Sequence, residues 1–207
     1  MQVKICGIKN IEHAIVAIES GADFIGFIFV PESKRSTDPT EVFKIINSLK
    51  QKLPDMRTKT VGVFGNHTQQ EIESLMEHSA LDIAQLCGEE DFNIEIPTIR
   101  QIRIKDTDSS EAILDTVQKA LLLHNYVILD SFHEKKLGGT GNIFNWEKAK
   151  NVIGLTNVLV SGGLNSKNIE DLKDRHQPYG VDVSSGVETD GVKDTGKINE
   201  FIKLAKK

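Results

Sequence analysis

The chain has 207 residues, of which 39% are hydrophobic and 27% charged, and its formal net charge is -5 at pH 7. This length allows a substantial core, and one domain over 1–207 is the simplest expectation. With no apolar run long enough to cross a bilayer and no secretory leader before Val3, we expect a cytoplasmic protein that does not enter a membrane. The acidic balance also argues against nucleic acid as a partner, because no overall positive field would attract it.

Strand patterns rich in Val, Ile and Phe recur along the whole chain. In chain order they are "QVKIC" (2–6), "FIGFIFV" (24–30), "TVGVFG" (60–65), "DIAQLC" (82–87), "TIRQIRI" (98–104), "YVILD" (126–130), "NVLVSG" (157–162) and "GVDVSS" (180–185).

Helical patterns fill most of the intervals between these strands. Asn10 is a suitable cap for the first helix, Asp38 precedes Pro39 at the second, and Thr68 with Glu71 forms a capping-box pattern at the third. Val42, Phe43, Ile45, Ile46 and Leu49 are predicted to share the apolar face of the second helix. After the fourth strand, "EEDFNIEI" predicts at most a short helix, since Pro97 follows closely.

Eight strand-and-helix alternations in this length predict one compact eight-fold (β/α)8 TIM barrel of parallel strands with few insertions. The competing architecture is a doubly wound open sheet, for which six or so strands would be usual. The strand count favours the barrel, whose functional groups gather at the carboxyl ends of the strands.

Alternation along the strands predicts which side chains enter the barrel. In the first strand, Lys4 and Cys6 point inward with Cys6 at the rim, and Lys4 could favour a Cys6 thiolate. In the sixth strand, Asp130 points inward at the same rim. A thiol and a carboxyl could form an acid–base pair there, although a buried apolar role for Cys6 and a capping role for Asp130 are also compatible with the pattern.

Glycine- and serine-rich turns follow the last strands and suggest a phosphate cradle built from backbone amides. The candidates are Gly162, Gly163, Ser184, Ser185 and Gly186, and Asn165 could cap the helix after the first of these turns. Arg35, after the second strand, could bind a carboxylate through two parallel hydrogen bonds or be a solvated loop charge.

The sequence indicates neither a metal site nor a disulfide. The six histidines show no paired metal-ligand spacing, so we expect no metal and no cofactor. Cys6 and Cys87 are expected to be reduced thiols.

Long motifs make the chain similar to the phosphoribosylanthranilate isomerase family from Met1 almost to Lys207. They are "VKICGIKN", "GADFIGFIFVPESKR", "VGVF", "QLCGEE", "ILDS", "GGTGNIFNW", "VSGGLN" and "GVDVSSGVE". The resemblance implies a barrel enzyme of tryptophan biosynthesis that carries out an Amadori rearrangement of N-(5-phosphoribosyl)anthranilate. Its partner would be this small phosphosugar, and the pattern leaves monomer and homodimer both open.

The resemblance also implies roles for individual residues. Cys6 would be the general base at C2, Asp130 the general acid at the ribose ring oxygen, and Arg35 the ligand of the anthranilate carboxylate. Asp182 would lie near the ribose hydroxyls. The 5-phosphate would be held by the glycine and serine turns, namely Gly141, Gly162, Gly163, Ser184, Ser185 and Gly186.

One position departs from the family pattern. Members commonly have a histidine where this chain has Cys87, and we interpret Cys87 and Gln85 as residues that line the pocket. Two other functions remain in competition: another sugar-phosphate isomerase or epimerase of this fold, which would normally bring metal-ligand histidines, and a non-catalytic phosphate-binding barrel.

Overall fold

The computed structural model describes residues 1–90, 92, 94–131 and 144–207. Eight parallel strands pair in chain order, and the first also pairs with the eighth, which closes the sheet into a barrel. The strands are β1 (Gln2–Cys6), β2 (Phe24–Ile28), β3 (Lys59–Phe64), β4 (Ile83–Leu86), β5 (Thr98–Ile104), β6 (Tyr126–Ser131), β7 (Val158–Val160) and β8 (Gly180–Val183). The predicted eight-stranded parallel barrel is confirmed.

Helices cover the outside of this barrel. They are α1 (Ile11–Glu19), α2 (Pro39–Lys52), α3 (Gln69–Ser79), α4 (Ser110–Leu123), α5 (Lys150–Ile153), α6 (Ile169–His176) and α7 (Thr195–Lys206). Two short 3₁₀ turns, Trp146–Ala149 and Ser185–Val187, precede α5 and follow β8. A small antiparallel hairpin of β9 (Glu188–Thr189) and β10 (Val192–Lys193) lies between β8 and α7. None of the described helices is long and apolar enough to cross a membrane.

The first three helices begin where their capping residues predict. The Asn10 side chain accepts a hydrogen bond from the His13 backbone N–H, and Asp38 accepts from the Thr40 N–H just after Pro39. Thr68 and Glu71 make both bonds of a capping box at α3. These caps satisfy amide groups that the first turn of a helix leaves unpaired.

Three local predictions were wrong. In the described part of the segment after β4 (88–90, 92 and 94–97) no helix forms, and the chain runs directly into β5 after Pro97. Asn165 does not cap α6, which begins at Ile169 after Asn168. The Asn165 side chain instead accepts a hydrogen bond from the Lys167 backbone N–H in the preceding turn. Phe43 is 40% exposed, because it lies one position off the i, i+3, i+4 stripe of α2 that packs on the barrel.

Strand alternation divides the core into an outer and an inner part, as predicted. Val3, Ile5, Val127 and Leu129 pack outward with the helices. Inside the barrel, one apolar layer fills the lower part with Phe24, Val61, Ile83, Ile99, Ile128 and Leu159. Above it, Cys6, Val63 and Cys87 form a separate small cluster. The polar site therefore lies over a filled barrel floor, at the carboxyl ends of the strands.

Candidate active site

Cys6, the last residue of β1, and Asp130, the last but one of β6, lie buried in the same mouth of the barrel. Cys6 is 5% exposed and Asp130 is 4% exposed. Both contribute to the electrostatic environment of Cys87, the residue after β4, which fits side chains that face one shared space. The sequence-predicted meeting of a thiol and a carboxyl at one rim agrees with this arrangement.

Below Cys6, a buried ion pair joins two neighbouring strands. Lys4 Nζ donates to Asp182 Oδ1 at 2.9 Å, and Ser161 Oγ donates to Asp182 Oδ2 at 3.0 Å. Lys4 is fully buried, and it lies beside Asp182 because β1 and β8 pair in register at these two residues. Asp182 thus points inward, as alternation predicts, and both of its carboxylate oxygens are hydrogen-bonded.

Two opposing effects act on the pKa of the Cys6 thiol. Burial raises the pKa of Cys6 above its ordinary value, and the positive charge of Lys4 acts in the opposite direction. The two groups are close, since a Cβ added to Gly26 would lie 3.1 Å from Cys6 Sγ and 3.2 Å from Lys4 Nζ. Lys4 therefore favours the thiolate, as the sequence suggested, but it does not fully offset the cost of burying the negative charge.

The Asp130 carboxyl is a weaker acid than an ordinary aspartate. Burial raises the pKa of Asp130 to about 6, although the Ser131 N–H and the Gln101 amide both donate to it and favour its charged form. The negative charge of Asp182 raises the Asp130 pKa further, while Lys4 lowers it. A carboxyl with this pKa can hold or release a proton near neutral pH, as an acid–base group requires.

Arg35 is held at the rim by an ion network. Its Nε and Nη2 donate to the two carboxylate oxygens of Glu188 at 2.7 and 2.8 Å. Lys193 Nζ also donates to Glu188 and reaches the backbone oxygen of Ser184 at 3.1 Å. The pKa of Glu188 is lowered by these two cations even though burial acts to raise it. Arg35 is therefore a fixed guanidinium and not a freely solvated loop charge.

The predicted phosphate turns lie against each other. Gly162 and Gly163 have φ values of +86° and +64°, which few side chains tolerate. A Cβ on Gly186 would lie 1.8 Å from the Leu164 backbone oxygen, so the turns after β7 and β8 touch at this glycine. The backbone N–H groups of Gly162 and Gly163 donate to no backbone acceptor among the described residues, as amides that bind an anion would require.

The serines of the second turn do not share one role. Ser184 Oγ donates to the Cys6 backbone oxygen at 3.0 Å, so this hydroxyl ties the turn to β1. Ser185 and Gly186 begin the short 3₁₀ turn after β8, where the first amides of a helical turn lack internal acceptors. Gly141, the remaining phosphate candidate, lies outside the described residues.

Cys87 is a buried neutral thiol. Burial raises the pKa of Cys87 to about 12, and Gln85 Nε2 donates to its sulfur at 3.4 Å. With that pKa it keeps its proton at neutral pH, so it is unsuited to carry protons. This supports the interpretation of Cys87 and Gln85 as lining residues.

Sequence reasoning missed three partners of the predicted residues: Gln101, Glu188 and Lys193. Gln101 could have been found, since it is a polar residue at an inward position of β5, between Ile99 and the rim. Glu188 and Lys193 belong to the hairpin after β8, whose position over Arg35 no local pattern indicates. Among the described residues, no group of three or more His, Cys, Asp or Glu could hold a metal ion.

A closed parallel (β/α)8 barrel with a thiol, a weakly acidic carboxyl and a fixed guanidinium at its mouth defines a barrel enzyme of the acid–base type. Residues 3–204 match the family model described as N-(5'phosphoribosyl)anthranilate (PRA) isomerase. The chain belongs to this family, and the prediction of a PRA isomerase of tryptophan biosynthesis is confirmed.

Relatives match this chain over its full length. The N-(5'-phosphoribosyl)anthranilate isomerase of Dehalococcoides mccartyi is 36% identical over 213 residues, which cover 100% of this chain and 96% of the relative. The crystal structure of phosphoribosyl anthranilate isomerase from Thermotoga maritima has a TM-score of 0.83 at 32% identity, covering 100% of this chain and 98% of that one.

Two further solved structures bear on ligands and assembly. One is a phosphoribosyl anthranilate isomerase in complex with reduced 1-(o-carboxyphenylamino)-1-deoxyribulose 5-phosphate, with a TM-score of 0.78, 31% identity, and coverage of 100% of this chain and 98% of that one. The other shows monomers generated from the dimeric Thermotoga maritima enzyme, with a TM-score of 0.81, 31% identity and the same coverage.

Proposed function

We propose that this chain converts N-(5-phosphoribosyl)anthranilate to 1-(2-carboxyphenylamino)-1-deoxyribulose 5-phosphate with Cys6 as general base and Asp130 as general acid. The observation that carries these roles is the pairing of a buried thiol on β1 with a carboxyl of raised pKa on β6 at one barrel mouth. The ligand in the related complex is a reduced form of this product, which supports the same substrate here.

The reaction needs a proton at the ribose ring oxygen and the loss of a proton from C2. Asp130 gives its proton to the ring oxygen as the bond from that oxygen to C1 breaks, and C1 becomes an iminium. The positive iminium acidifies the neighbouring C–H, so the Cys6 thiolate can remove the C2 proton to form an enolamine. Transfer of the proton from Cys6 to C1 and of the enol proton to Asp130 gives the ketose and restores both groups, so the sequence is neutral in protons and electrons.

The two shifted pKa values indicate how the pair is used. At neutral pH the resting site holds its proton on Cys6, because the pKa of Cys6 is raised above its ordinary value and that of Asp130 is about 6. The reacting form moves this proton to Asp130 without changing the total number bound. We therefore expect kcat/KM to fall as pH drops below about 6, where Asp130 and Cys6 are both protonated.

Substrate binding would use polar groups around the same barrel mouth. Arg35 binds the anthranilate carboxylate beside its fixed partner Glu188, and Asp182 receives the ribose hydroxyls. The 5-phosphate binds to the backbone amides of the two touching turns, those of Gly162 and Gly163 and those of Ser184, Ser185 and Gly186. Arg35 lies beside the turn after β8, since a Cβ added to Gly7 would be 2.8 Å from Arg35 Cδ and 3.2 Å from Ser184 Oγ, so the carboxylate and phosphate groups of the substrate would bind at neighbouring parts of one mouth.

Two variants test the roles directly. Cys6→Ala and Asp130→Asn are each expected to lower turnover by about 10²–10⁴-fold, the usual loss for one acid or base group. Both should still bind the reduced product analogue, measured by calorimetry. Asp115→Asn, which alters an exposed carboxylate paired with Lys119, is the matched control. Unchanged turnover in Cys6→Ala would remove the base role.

The competing functions give different results in the same assays. A non-catalytic barrel would bind the analogue but form no ketose from the aldosylamine. A metal-dependent epimerase would lose its rate in EDTA, whereas this enzyme should keep it. The single domain over 1–207, the cytoplasmic location and the choice between monomer and homodimer stay predictions; light scattering of the purified protein separates the last two.

A further inference from the structure

The Asp130 carboxyl is held at both oxygens by hydrogen-bond donors. The Ser131 backbone N–H donates to Oδ1 at 2.8 Å, and Gln101 Nε2 donates to Oδ2 at 2.9 Å. Gln101 reaches Asp130 from β5, one layer deeper in the barrel, since Arg103 is the residue of β5 in register with Asp130. Two donors on one carboxylate fix its plane, and both suit its ionised form.

The oxygen of the Gln101 amide lies at its other end. Its Oε1 is buried and has no hydrogen-bond partner among the described residues, and the whole side chain is only 8% exposed. Buried polar atoms are normally paired, so this oxygen, which belongs to an amide already in contact with Asp130, is available to pair in another protonation state of the site. Because the oxygen and nitrogen of an amide are nearly alike in shape, a half turn of the amide puts Oε1 where Nε2 now lies.

We propose that Gln101 is a positioning residue for Asp130, and that its amide turns over when Asp130 takes up a proton. This inference rests on the proposed role of Asp130 as the general acid. In the orientation observed, Nε2–H stabilises the carboxylate that remains after the proton has gone to the ring oxygen. In the turned orientation, Oε1 accepts the O–H of the protonated acid. The carboxyl thus keeps one orientation in both halves of the cycle.

Other charges around Asp130 do not provide this adjustment. Asp182 on β8 and Lys4 on β1 act on it electrostatically, the neutral thiol of Cys87 lies just after β4, and Arg103 on β5 is its neighbour in register. Among the described residues, Gln101 donates a hydrogen bond to Asp130 from its side chain, whereas Ser131 donates from its backbone. A backbone N–H can only donate a hydrogen bond. The side-chain amide can either donate or accept, so it is the group that can adapt when Asp130 gains or loses a proton.

The test compares the titration of Asp130 in the wild-type protein and in Gln101→Met, which keeps the size of the side chain but loses the amide. The ¹³C resonance of the Asp130 carboxyl is assigned by its loss in Asp130→Asn. Its titration midpoint should lie about half a pH unit or more higher in Gln101→Met, because a hydrogen-bond donor to the charged form is gone. The low-pH limb of kcat/KM should move the same way, and kcat should fall by about 3–10-fold.

The matched control is Gln85→Met. Gln85 is the neighbouring buried glutamine on β4, and its Oε1 is likewise unpaired among the described residues, but its Nε2 donates to Cys87. This variant should leave the Asp130 midpoint unchanged. A shift equal to that of Gln101→Met would mean that any loss of a buried amide perturbs the site, and would overturn the proposal.

A second measurement needs no core substitution. The side-chain NH₂ signals of Gln101 in the wild-type protein should change with pH at the Asp130 midpoint, because the amide changes partner there. Signals that are insensitive to pH, or an unmoved Asp130 midpoint in Gln101→Met, would overturn the proposal. Failure of the acid role itself appears separately, as full turnover in Asp130→Asn, while the effect of Gln101 on the Asp130 titration can still be measured.

Discussion

Lys4 donates a hydrogen bond to Asp182 at 2.9 Å inside the barrel, and these two charges are 178 residues apart in the chain. Burial by itself would lower the pKa of Lys4, but Asp182 and Cys6 raise it above its ordinary value, so Lys4 remains charged. The pair places a fixed positive charge next to Cys6 and joins the first and last strands of the barrel.

Lys4→Met should destabilise the protein by about 3–5 kcal/mol, because it leaves the Asp182 carboxylate buried without its counter-ion. Urea unfolding followed by circular dichroism measures this loss. The double variant Lys4→Met/Asp182→Asn should recover part of the loss, since no buried charge is then unpaired. A double variant no more stable than Lys4→Met would contradict this explanation.

Asp130→Asn should stabilise the protein at pH 8 although it lowers turnover. The folded-state pKa of Asp130 is about 6, above the unfolded value near 3.9, so ionising it costs folding free energy. This cost, up to about 3 kcal/mol, is present above pH 6 and disappears below about pH 4, where both states are protonated.

Urea unfolding of the wild-type and Asp130→Asn proteins at pH 8 and at pH 4 checks this sign. The stability difference in favour of the variant should be large at pH 8 and close to zero at pH 4. A difference that does not depend on pH would show that the substitution acts through packing and not through the buried charge.

Glu188→Gln should raise KM for the anthranilate aldosylamine by about tenfold, or ~1.4 kcal/mol, because Arg35 loses the carboxylate that holds its guanidinium in place. Steady-state kinetics with Glu41→Gln as control measures the effect, since Glu41 pairs with Lys44 on the exposed surface of α2. A lower KM in Glu188→Gln would instead mean that Glu188 competes with the substrate carboxylate for Arg35.

Gly186→Ala should destabilise the protein by about 1–3 kcal/mol and weaken phosphate binding, because the added Cβ must push the two turns apart. Gly154→Ala is the control, since the nearest atom to its added Cβ is 3.5 Å away, an ordinary contact. Thermal unfolding and inhibition by inorganic phosphate report the two effects. Unchanged phosphate inhibition in Gly186→Ala would contradict a phosphate site at these turns.

Much of this architecture follows from local patterns in the sequence. Strand alternation alone predicts that Lys4, Cys6, Asp130 and Asp182 point into the barrel, because successive side chains of a strand must leave on opposite faces. Capping residues such as Asp38 predict where helices begin, since the unpaired amides of a first turn need an acceptor within two or three residues.

The contacts that tune the site were decided only by the closed barrel. Which charge lies beside Lys4, which carboxylate holds Arg35 and which amide meets Asp130 depend on strand register and on the hairpin after β8, over separations of 178, 153 and 29 residues. Local periodicity carries no information at such distances. Burial, and with it the raised pKa of Asp130, arises only when eight strands close around the side chain and exclude water from it.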